Sequence, residues 1–153
     1  SRNGDISKFI DMHGYKAYAK SNVNSYISLL DGPALPRVVA LSSGFMVYNE
    51  EIHQDDAALR ERVAASKLSF VLLPSFELET CVAEIVHRQL QRSFARTAQR
   101  EESVIRSRFS MYVSLPARKV RTQGPVSAVV DEIIMLLPSN ALQPMQQSCM
   151  AKL

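Results

Sequence analysis

Tryptophan is absent, and only two cysteines and five glycines occur in 153 residues. Cys81 and Cys149 are too few for a disulfide scaffold, and the second sits in a polar tail. Both read as free thiols of a reducing compartment, which points to the cytoplasm. Long apolar runs are missing as well. Phe70 to Leu73 and Ile133 to Leu137 fall far short of the roughly 20 residues that a membrane-spanning helix needs. The N-terminus is polar and carries no visible signal peptide. A net charge of only +3 beside 46% apolar residues excludes disorder over most of the chain. Sequence motifs are missing too. There is no G-x-S-x-G elbow, no G-x-G-x-x-G fingerprint and no GxxxxGK[ST] phosphate loop. His13, His53 and His87 lie far apart, and none pairs with Cys or His at ligand spacing, so no metal site is expected.

What remains is an ordinary globular composition, long enough for one domain with a sizeable core. Asp5 is a candidate helix cap and Gly14 a candidate stop. A second helix is expected from Tyr15 to Leu30, with Tyr15, Tyr18, Asn22 and Tyr26 on one side. Gly32, Pro33 and Pro36 break it. Val38 to Leu41 is a short apolar run that reads as a buried strand, closed by the small-residue turn Ser42-Ser43-Gly44. Helices are expected from about Asp55 to Ser66, Glu77 to Gln91 and Gln99 to Ser114, with strands at Phe70–Leu73 and near Lys119–Thr122. Pro125 opens a last helix whose Val126, Val129, Val130, Ile133, Ile134 and Leu137 form one apolar face, expected to be buried. Strands alternating with helices imply an α/β fold: a three-layer parallel sheet with helices on both faces. Residues 138–153 read as a flexible tail. Its end, Ala151-Lys152-Leu153, resembles a peroxisomal address.

Half of the 18 basic residues fall between Arg88 and Arg121, offset there only by Glu101 and Glu102. Arg88, Arg92, Arg96 and Arg100 recur every four residues, which would align them on any helical part. Arg forks bind phosphate or carboxylate oxygens in pairs. The cluster therefore reads as a solvated face or an anion site. Nucleic acid is disfavoured, because apart from Phe94 no aromatic side chains interleave as stacking platforms. The Ser42–Gly44 turn is the second candidate, since small residues at the carboxyl end of a strand let a ligand approach the backbone. Cys81 lies between apolar helical neighbours and reads as a packed thiol.

The order of these features resembles the shikimate kinase family of small P-loop kinases over most of the chain, from about Gly4 to Leu137. Ile6 to Ile10 followed by His13 to Tyr18 is similar to the family's segment after its second strand. Val38 to Gly44 resembles the strand that leads into its glycine triplet. Arg92 to Arg96 falls where the family's mobile lid carries arginines onto ATP phosphates. Arg108-Phe109-Ser110-Met111-Tyr112 resembles the R-x-P-x-Y motif whose Arg holds the substrate carboxylate. The resemblance implies phosphoryl transfer from ATP, with Mg²⁺, to a hydroxyl of a small carboxylated acceptor. It implies a lid at Arg92 and Arg96 and substrate contacts at Ser42, Ser43, Gly44 and Arg108. Three departures qualify it. Two of the three glycines are serines, the Arg expected after Tyr18 is Ala19, and the phosphate loop with its metal-holding acids would precede Ser1. The expectation is that this chain alone does not catalyse, and that a missing segment or a protein partner completes the sheet. The alternative is a non-catalytic kinase-like module that binds a metabolite or a protein.

Overall fold

A computed structural model describes residues 6–33, 37–49, 51–91, 97–139 and 141. The elements run α1 (Ile6–Asp31), a 3₁₀ turn (Phe45–Val47), α2 (Asp56–Ala65), β1 (Phe70–Leu73), α3 (Leu78–Leu90), α4 (Ala98–Ser114), β2 (Arg118–Arg121) and α5 (Val126–Leu136). The chain is mixed α/β and mostly helical. Its two described strands pair in parallel, with Leu72 opposite Val120. It divides into two compact units, one reaching Arg62 and the other beginning at Val63.

In the first unit, α1 is not one straight rod. Gly14 sits inside it at φ 79°, ψ 161°, outside helical geometry. Positive φ is open to glycine at no steric cost, so the expected stop at Gly14 is a break that α1 continues across. The expected cap, Asp5, lies outside the described residues. Ala19 and Val23 are the buried residues of α1. The core of this unit forms around Phe45, which packs edge-on against Tyr26 at 5.2 Å and tilted against Tyr48 at 5.9 Å. The Asp56 carboxylate is buried in the first turn of α2, where a negative charge meets the positive end of the helix dipole. Arg60 Nε lies 2.8 Å from it, off the line a hydrogen bond needs.

The expected strand at Val38–Leu41 does not form. These residues have no regular structure, and Val38 is fully exposed. An apolar run becomes a strand only where a neighbour completes its hydrogen-bond ladder. No described strand lies beside this one. Local bonds hold its start instead, with Arg37 donating to the carbonyls of Leu29 and Pro33.

The second unit follows the sequence pattern closely. Val71 and Leu73 alternate inward from β1 onto Cys81 and Ala117, with Phe76, Ile85, Phe109 and Tyr112 packed around them. Pro74 follows β1, and Ser75 Oγ then accepts from the Glu77 amide at the start of α3. Thr97 caps α4 by accepting from the Arg100 amide at 3.3 Å. Across the two helices Arg106 grips Glu79 through two bonds of 2.6 and 2.7 Å, while its Nε binds Glu102 at 2.8 Å.

Helix α5 departs from expectation. None of its residues is buried, and Val126, Val130 and Ile134 are 80%, 45% and 48% exposed. The reason is width. Two strands span only about 5 Å between their axes, whereas a helix with side chains is about 10 Å across. The sheet buries Val120 completely, yet Leu72 on the neighbouring strand stays half-exposed. Arg118 clips the end of α5 by donating to the Leu136 carbonyl, and it also reaches Lys67 O at 3.2 Å. Ile134→Lys is therefore expected to change stability by no more than about 0.5 kcal/mol, as for an exposed position. Chemical denaturation of the chain checks this. A loss above 2 kcal/mol, the range of a buried aliphatic, would contradict the exposed stripe.

Candidate functional site

The Ser42-Ser43-Gly44 turn is built by two backbone bonds, Phe45 N to Ser42 O and Val47 N to Gly44 O, both 3.0 Å. A hydroxyl cluster gathers on it. Asn22 Nδ2 on α1 donates to Tyr48 OH at 3.1 Å and reaches Ser42 Oγ at 3.4 Å. Ser42 Oγ and Tyr48 OH lie 2.9 Å apart. The Tyr15 ring meets the Tyr48 ring edge-on at 6.3 Å. Gly44 is crowded: a Cβ there would meet the Tyr15 hydroxyl, which would have to shift, and would lie 3.0 Å from Tyr48 Cε1. The sequence pointed to the turn but not to Tyr48 or Asn22 as its partners. Asn22 shared a helical side with Tyr15, and that was the available signal.

Burial pushes the Tyr48 phenol above its ordinary value near 10, and the bonds from Ser42 and Asn22 only partly oppose this. The folded state thus holds this proton more tightly than the unfolded chain does. The resulting stability is present below the unfolded pKa near 10 and is lost as pH rises through the folded value. Denaturation midpoints are expected to fall above about pH 10 in the wild type and to fall less steeply in Tyr48→Phe. Equal slopes would show that Tyr48 is not the group responsible.

Ala19 is fully buried on α1. The position where the family resemblance calls for an arginine thus lies in the core of the first unit. Arg108 lies half-buried on α4 in the second unit, beside Phe109 of the core. Its neighbour Arg106 is committed to Glu79 and Glu102, and its guanidinium holds the exposed Glu79 carboxyl below the usual carboxylate range. A shallow depression on α4, lined by Gln99, Glu102, Ser103 and Arg106, draws its charges from this same clamp. Arg92 and Arg96 lie outside the described residues, as do Cys149 and the Ala151-Lys152-Leu153 end.

Arg88 and Arg100 lie on different helices, because α3 ends at Leu90 and α4 starts at Ala98. Arg88 bonds Glu84 and the Thr122 carbonyl. Lys119 bonds the Leu115 carbonyl, and Arg121 lies 5.0 Å over the Phe76 ring. Cys81 is buried, and burial pushes its thiol up, away from the thiolate a nucleophile needs. Among the described residues no group of three or more His, Cys, Asp or Glu side chains could hold a metal. No described helix is long and apolar enough to cross a membrane. Compared with known protein families, curated proteins and solved structures, the chain matches none.

Proposed function

We propose that this chain carries the acceptor-binding part of a shikimate kinase-like enzyme, which transfers the γ-phosphoryl group of ATP to a hydroxyl of a small carboxylated molecule. The observation that carries the reading is the unfinished sheet. β1 has β2 on one edge and no described strand on the other. Leu72, Val130 and Ile134 stay exposed on β1 and α5. Parallel sheets are normally covered on both faces, and an open edge invites a further strand. On this reading a missing segment or a protein partner adds that strand, completes a three-layer P-loop sheet, and brings the phosphate loop and the Mg²⁺ holders. In the second unit Arg108 is the candidate ligand of a carboxylate, and in the first Ser42, Ser43 and Gly44 are the candidate lining of an acceptor. Arg92 and Arg96 serve as the lid over ATP. Catalysis in this class is positioning and charge neutralisation. This chain alone is therefore expected to bind the acceptor in the cytoplasm's reducing conditions without turning it over.

A second reading is a non-catalytic module that binds a metabolite or a protein. The burial of Ala19 favours it, because a second cationic contact to an acceptor is then absent from that position. The two separate on the upstream coding sequence. A GxxxxGK[ST] loop after an apolar strand, with a D-x-D pair soon after, supports the enzyme; its absence supports the module.

Thermal unfolding with added shikimate tests the acceptor reading. A ligand that binds only the folded state stabilises it by about 2.7 kcal/mol at 100 times its Kd. Shikimate is expected to raise the midpoint of the wild type and not of Arg108→Ala. No shift in either protein, or an equal shift in both, would remove the assignment of Arg108.

A further inference from the structure

We draw no further inference here: the strongest candidate, the apolar surface that stays exposed in the second unit at Val126, Val130 and Ile134 of α5 and at Leu72 of β1, carries nothing because nothing in the structure shows what covers it.

Discussion

Phe45→Ala is expected to cost about 3–5 kcal/mol, the range for deleting a buried aromatic side chain. Phe45 is the largest fully buried side chain among the described residues, and Tyr26 and Tyr48 both pack on its ring. The substitution leaves a void lined by the Tyr26 and Tyr48 rings. Tyr48 is pinned by Asn22 and Ser42, so it cannot move in to fill the space. Whole domains are stable by only about 5–15 kcal/mol. The change is thus expected to remove much of the stability of the first unit and, with it, the ordering of the Ser42–Gly44 turn. Urea denaturation followed by tyrosine fluorescence measures this. A loss below 1 kcal/mol would show that the Phe45 cluster is not the core of that unit.

Val120→Asp is the second large effect. Val120 has no solvent exposure, and it lies opposite Leu72 in the only described sheet. A carboxylate placed there is buried, and Arg118, on the same face of β2, is already engaged with the Lys67 and Leu136 carbonyls. The neighbours Lys119 and Arg121 point to the other side of the strand, where they bond Leu115 O and cover Phe76. Burying an unpaired charge is among the few changes that cost on the order of 4–5 kcal/mol or more. The chain is expected to lose the cooperative unfolding of its second unit at neutral pH. Part of it returns on acidification, when the new carboxyl takes a proton. Val120→Asn, polar but uncharged, is expected to do less damage and to show no such recovery. Circular dichroism at two pH values separates the two variants. Equal behaviour of both would mean that position 120 is reached by water.

Local signals placed the elements of the second unit well. Pro74 ends β1 and Pro125 precedes α5, while apolar spacing marks α3 and α4. Both strands are short apolar or alternating runs bounded by breakers, and each finds its partner. Val38–Leu41 carries the same local signal but has no described neighbour, and a lone strand has nowhere to put its backbone bonds. The error at α5 has the same origin. Its apolar stripe is real, but burial depends on how much sheet lies beneath it, and sequence spacing does not contain that number. The site shows the same division. Ser42-Ser43-Gly44 was legible as a turn because small residues cluster there. The crowding at Gly44 comes from Tyr15 and Tyr48, which tertiary packing brings to it. Arg106 and Arg108 look alike in sequence, yet only a helix-to-helix contact reveals that Arg106 belongs to Glu79.

The proposed function gives this chain an acceptor-binding role in phosphoryl transfer. Calorimetric titration of the folded chain, with shikimate and Mg-ATP added separately, tests it most directly. Heat of binding is expected for shikimate, lost in Arg108→Ala, with no comparable binding of Mg-ATP. Binding of neither ligand to the folded chain, or of Mg-ATP alone, would contradict it.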